Sequence, residues 1–135
     1  MITLGVRDLS RACAFYEALG LRKAEERLPG IAFYQLPGLI LSLFPIDELA
    51  EDQGRTGADL GTGAASLTLS LPDRAAVDHA YATALAAGGT GQKPPNEAFW
   101  GGYSGYVLDP DGHPWEFAHS PLVHPKHDRA MAGAL

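Results

Sequence analysis

The sequence predicts an α+β fold: two β-α-β-β-β modules whose curved sheets form a cup, a half-open β-barrel. Two observations predict it. A succession of strand, amphipathic helix and further strands in the first third of the chain starts again after residue 64. The two runs also lie on each other. Val6-Arg7-Asp8-Leu9 falls where Leu71-Pro72-Asp73-Arg74 falls, and Phe15-Tyr16 where Ala80-Tyr81 falls. Gly38-x-x-Leu41-Ser42-Leu43 roughly parallels Gly112-x-x-Trp115-Glu116-Phe117. Internal repetition at this length marks a repeated supersecondary unit. Each unit buries one sheet face under its helix and leaves the other face in need of a partner, so two units brought together enclose a cup. The alternative is a plain α+β sandwich with coincidental repetition.

In the first module, residues 2–6 are a short apolar run, and Asp8 is a good helix N-cap. Ala12, Phe15, Tyr16 and Leu19 follow at i, i+3, i+4 and i+7, one stripe of a helix that Gly20 ends. Three strands are expected over 22–27, 31–36 and 39–44, with Pro29-Gly30 and Pro37-Gly38 as the turns between them. Residues 47–53 read as a short acidic helical turn, and 54–63 as a glycine-rich linker or loop. In the second module, 65–71 alternates as a strand. Pro72-Asp73 opens a helix whose buried stripe is Val77, Ala80, Tyr81, Ala84 and Leu85, and Gly88-Gly89 stops it. Residues 90–93 are a candidate short strand and 94–98 a loop.

A hairpin closes the unit: FWGGYSGYVLDPDGHPWEF, residues 99–117. Its Asp109-Pro110-Asp111-Gly112 turn has Pro110 to preset φ and Gly112 to tolerate φ > 0. The whole reads as one domain over 1–120, with modules at about 1–45 and 64–119 and a C-terminal tail over 121–135.

Composition narrows the class of function. The chain has 135 residues, 46% hydrophobic and 19% charged, with 16 glycines and 10 prolines, the profile of a turn-rich globular protein. No apolar run approaches the roughly 20 residues of a membrane span. The N-terminus lacks the basic and long apolar regions of a signal peptide, and Cys13 is the single cysteine, so a cytoplasmic setting is expected. Cys13 sits on the first predicted helix, as a small packing residue. The net charge of −6 and the absence of a basic cluster argue against nucleic acid as a partner. No phosphate-binding glycine loop, cofactor fingerprint or nucleophilic triad is present. His79 reads as helix surface, His113 as turn, and His124 and His127 as tail.

The residue that calls for chemistry is Glu116. Strand alternation puts Trp115, Phe117 and His119 on one face and Glu116 and Ala118 on the other. The aromatics of the closing segment, Phe99, Trp100, Tyr103 and Tyr106, are candidates to line the cup above it. Apolar walls with a few convergent polar groups are the make-up of small-molecule pockets. An ionised carboxylate beside aromatic faces favours a cationic or planar aromatic ligand.

The pieces V-R-D-L-x-R-A-x-x-F-Y-x-x-L-G-L and D-P-D-G-H-P-W-E-F, in this order and combined with the repeat, resemble the vicinal oxygen chelate superfamily. That superfamily includes glyoxalase, extradiol dioxygenase and bleomycin-resistance proteins, and the resemblance covers nearly the whole chain. It implies paired β-α-β-β-β modules forming a cup, a homodimer, and a small organic ligand inside. In metal-using members the ligands come from the first and last strands of the modules. Carried onto this sequence, those positions are Met1, Ser42, Ser66 and Glu116, of which only Glu116 matches. A divalent transition metal wants at least three histidine, cysteine or carboxylate ligands, so no cofactor is expected and a divalent metal is disfavoured.

The expectation is a metal-free binding protein with Phe99, Trp100, Tyr103, Tyr106, Ser66, Ser42 and Glu116 around its ligand. The alternative is a glyoxalase-like lyase, isomerase or dioxygenase. Glu116 would then be general base or metal ligand, and Tyr103 or Tyr106 would donate hydrogen bonds.

Overall fold

The computed structural model describes residues 1–24, 29–55, 59–98 and 101–121. Its elements run β1 (Ile2–Val6), α1 (Leu9–Ala18), β2 (Ala32–Leu36), β3 (Leu39–Pro45), α2 (Ile46–Asp52), β4 (Leu67–Ser70), α3 (Arg74–Ala86), β5 (Thr90–Glu97), β6 (Tyr103–Leu108) and β7 (Pro114–His119). One sheet has the order β1-β3-β2 and the other β4-β7-β6-β5. In both, the first strand of the module pairs in parallel with its last, and the remaining pairs are antiparallel. Two β-α-β-β-β-like modules are therefore present, the second complete and the first with three strands, as an α+β cup rather than a closed barrel.

Each module starts its helix in the same way. Asp8 is extended and accepts from the Arg11 backbone N–H; Asp73 does the same for Ala76. Such a cap satisfies a donor that the first turn leaves over, worth about 1 kcal/mol. Both helices end at a glycine with positive φ, Gly20 at 107° and Gly88 at 105°. Behind them the Leu21 N–H returns to Tyr16 O and the Gly89 N–H to Ala84 O, closing the last turn as left-handed caps do.

The core lies between the helices and the covered sheet faces. Val6, Tyr16, Tyr34, Leu41, Leu43, Val77, Val107, Trp115 and Phe117 are all fully buried or nearly so. Tyr34, on β2, is in the core. There its phenol pKa is raised, by burial above all and also by the neighbouring Cys13 thiol.

Three elements differ from expectation. The strand expected over 22–27 is reduced to a single bridge, Lys23 with Tyr34, and residues 25–28 lie outside the described part. The fourth strand begins at Leu67, so Ser66 precedes it. The short strand and loop expected over 90–98 are instead one strand, β5, that continues through Pro94 and Pro95. It is the edge of its sheet and carries register shifts on both sides of Lys93. Edges and bulges are where a residue without an N–H removes no ladder bond.

The helix α2 stands outside the repeat. It lies against β1 at Gly5, where an added Cβ would sit 3.1 Å from Ile46 and 3.2 Å from Leu49. The acidic Asp47 and Glu48 occupy its first turn, the favourable end of the helix dipole for negative charge.

Candidate functional site

The parallel pairs β1–β3 and β4–β7 place equivalent residues at equivalent positions. Ile2-Thr3-Leu4 lies beside Leu41-Ser42-Leu43, and Leu67-Thr68-Leu69 beside Trp115-Glu116-Phe117. In each triplet the outer two residues point under the helix and the central one points to the other face. The central residues touch. Thr3 Oγ1 lies 2.6 Å from Ser42 Oγ, and the Thr68 hydroxyl donates to Glu116 Oε1 at 3.0 Å. Glu116 is thus a strand-fixed carboxylate, half-buried, on the face opposite buried Trp115 and Phe117. Its first-module counterpart, Ser42, is buried and bonded to Thr3.

The Glu116 row continues across the sheet. Tyr106 on β6 pairs with Glu116, and Lys93 on β5 pairs with Tyr106. Read across four strands, the row is hydroxyl, carboxylate, phenol and ammonium: Thr68, Glu116, Tyr106, Lys93. Ser104, buried, shares the Tyr106 face two residues away.

The remaining sequence-predicted site residues are placed as follows. Tyr103 is on the other side of the sheet from Glu116. Its hydroxyl donates to Asp78 Oδ1 on α3 at 2.6 Å, and the Arg74 guanidinium lies 5.0 Å from its ring centroid. That bond to Asp78, and then burial, raise the phenol pKa. Tyr103 therefore belongs to the α3 contact and not to the Glu116 row. Met1 is 74% exposed at the start of the chain, and Ser66 is exposed just before β4. Phe99, Trp100, His124 and His127 lie outside the described residues.

Thr3, Thr68 and Lys93 are site residues that motif matching misses. Thr3 and Thr68 stand two positions after Met1 and Ser66, hence on the same strand face, and that spacing is the signal for them. Thr3 also lines a cavity of ≈230 Å³ together with Gly5, Leu49, Arg55 and His113. His113 Nε2 is 2.8 Å from the Gly5 carbonyl oxygen, so in this contact Nε2 carries the hydrogen and donates.

The donor set decides what such a face can hold. Met1, Ser42, Ser66 and Glu116 supply one carboxylate, and Ser42 Oγ is already engaged by Thr3. Among the described residues no group of three or more histidine, cysteine, aspartate or glutamate side chains comes together. These residues do not fit a divalent transition ion, which needs three such ligands. They fit an organic ligand that offers a donor or a positive charge to Glu116 and a flat face to Tyr106. Among the described residues no helix is long and apolar enough to cross a membrane.

With this fold and face in view, the chain belongs to the Glyoxalase/Bleomycin resistance protein/Dioxygenase superfamily, whose family model matches residues 1–117. Among solved structures it is similar to a glyoxalase-related enzyme from Fulvimarina pelagi, with 36% identity, 90% of this chain and 86% of that chain covered, and a TM-score of 0.82. It is also similar to a lactoylglutathione lyase from Agrobacterium tumefaciens (26% identity, 90% and 92% covered, TM-score 0.69). A glyoxalase/bleomycin resistance protein/dioxygenase from Nocardioides matches at 25% identity, 93% and 85% covered, with a TM-score of 0.69. A comparison with curated proteins returned no match.

Proposed function

We propose that this chain is a small-molecule binding protein of its superfamily, holding an aromatic or cationic ligand with Glu116 as polar anchor and without a divalent metal. The observation that carries this reading is the Thr68–Glu116–Tyr106 row. It is a carboxylate oriented by one hydroxyl, flanked by a half-buried phenol, on a strand pinned from behind by Trp115 and Phe117. A ligand cation gains charge-assisted hydrogen bonds from Glu116, and an aromatic body gains contact with Tyr106. In this proposal two chains associate as a homodimer.

The test is a thermal-shift screen of cationic and aromatic compounds against protein stripped with chelator. Stabilisation by such compounds, and not by matched anions or aliphatic alcohols, is expected. A screen with no hit, or stabilisation that appears only when Zn, Ni, Fe or Mn is added back, would overturn it.

A second reading rests on the 36% identical protein described as a glyoxalase-related enzyme. In it the chain is a lyase, isomerase or dioxygenase. In its proton-transfer form, Glu116 removes a proton beside a substrate carbonyl, and Tyr106 donates a hydrogen bond to the developing oxyanion. Glu116-dependent turnover of a carbonyl substrate by the stripped protein selects this second reading over simple binding.

A further inference from the structure

The edge strand β5 turns one of its residues out of step. Gly91 pairs with Val107 and Glu97 with Tyr103, and both pairs lie on the face that α3 covers. There Tyr81 stands against Gly91, and Arg74 Nη1 donates to Glu97 Oε1 at 3.0 Å. A ladder continued unbroken from Gly91 would set Lys93 opposite Gly105, on that same face. The register shifts on both sides of Lys93 set it opposite Tyr106 instead, on the Glu116 face. A slip of one residue changes the face of a side chain, and bulges re-aim side chains in this way. Gly105 leaves the room: a Cβ there would stand 2.9 Å from Pro95 N and 3.0 Å from the Lys93 carbonyl oxygen.

The lysine placed in this way is exposed, and its ammonium has no hydrogen bond or ion pair among the described residues. The nearest acid in sequence, Glu97, is on the other face with Arg74. Glu116 does not neutralise it either. Tyr106 stands between them, and β5 and β7 are two strand spacings apart, about 10 Å. Among the described strand residues of this face, Lys93 is the one cation and Glu116 the one carboxylate. An edge lysine often serves only to keep other strands away, but here Pro94, Pro95 and the two register shifts already do that.

We propose that Lys93 is a second recognition point of the Glu116 site, and that the ligand is a zwitterion. Its ammonium meets Glu116, its flat body covers Tyr106, and its carboxylate meets Lys93. The inference rests on the reading of Glu116 as a ligand anchor, and adds to it a negative charge on the ligand and the place where that charge lies. The order of the row, carboxylate, phenol, ammonium, sets the shape of the ligand. A molecule with both charges on one carbon, such as an α-amino acid, does not span the phenol. A molecule with its charges at opposite ends of an aromatic ring does, and gains ring contact with Tyr106 as well.

The experiment is an isothermal titration of the full chain, in chelator at neutral pH, with 4-(aminomethyl)benzoate and with 4-(aminomethyl)benzamide. The two share the ammonium and the ring, and only the first carries the negative charge. The benzoate is expected to bind about three- to fivefold more tightly, the worth of a solvent-exposed ion pair. Lys93→Met keeps the length of the side chain and removes its charge. It should abolish the preference by weakening the benzoate, and should slightly strengthen the benzamide, whose cation loses a like charge from its surroundings. Lys93→Arg should retain the preference. Glu116→Gln should weaken both ligands. Equal affinities for two ligands that both depend on Glu116, or a preference that survives Lys93→Met, overturns this inference and leaves the Glu116 reading standing. Binding of neither ligand, or binding that Glu116→Gln does not weaken, overturns both.

Discussion

The Tyr16 hydroxyl lies 2.5 Å from Asp109 Oδ2 and joins the helix of the first module to the closing turn of the second, across 93 residues of sequence. The Tyr16 hydroxyl oxygen also accepts the Trp115 indole N–H at 3.0 Å. Asp109 in turn uses Oδ1 to hold the backbone N–H groups of Asp111 and His113, at 2.9 and 2.8 Å. One buried carboxylate thereby shapes the turn and clamps the modules, and it precedes the strand that carries Glu116. Tyr16→Phe leaves Asp109 Oδ2 and the Trp115 N–H without this partner. It should destabilise the fold by about 1–3 kcal/mol, the usual cost of a stranded buried polar group. Urea denaturation of the variant beside the wild type measures it, and an unchanged midpoint would contradict the clamp.

Alkaline pH should act through the same contact. Burial, together with the adjacent Asp109 carboxylate, raises the Tyr16 phenol well above its ordinary 10.0. A folded pKa above the unfolded one means that the native state holds its proton more tightly. This stabilisation is complete below pH 10.0 and is lost as pH rises from there toward the folded value. Tyr16→Phe, already less stable at neutral pH, should lose less further stability over that range. Thermal melts of both proteins across it give the comparison.

Gly89 marks how closely α3 sits on its sheet. A Cβ there would be 2.7 Å from Val107 Cγ1 and 2.8 Å from the Ala84 carbonyl oxygen. Gly89→Ala should therefore cost about 1–3 kcal/mol as overpacking. Differential scanning calorimetry should show a lower Tm, and a neutral result would mean the helix has room to shift.

Thr68 orients Glu116 without being needed for the core, since its face is the open one. Thr68→Val keeps the shape and removes the donor. Stability should change by less than about 1 kcal/mol, while affinity for a Glu116-anchored ligand should fall severalfold. Parallel measurement of Tm and binding separates the two effects.

Much of this architecture is legible in the residues. Asp8 and Asp73 cap the helices they are expected to cap, and the parallel between Leu41-Ser42-Leu43 and Trp115-Glu116-Phe117 survives as identical positions beside β1 and β4. What escapes does so for physical reasons. Pro94 and Pro95 argue against a strand locally, yet an edge with irregular register accepts them. Tyr103 and Tyr106 look alike as cup aromatics, but an odd separation puts them on opposite faces of one strand. Asp78 and Arg74 on α3 then claim Tyr103. Lys93 carries no motif; pairing across β5 and β6 brings it in.

The central claim is that Glu116 anchors an organic ligand without a metal. Isothermal titration of the best aromatic cation from the screen, in chelator, into wild type and Glu116→Gln tests it most directly. The glutamine keeps an acceptor for Thr68 and removes only the charge. The account predicts metal-independent binding to the wild type that Glu116→Gln weakens about tenfold or more, as loss of a charge-assisted contact does. Equal affinity in the two proteins, or binding that vanishes with the metal, would contradict it.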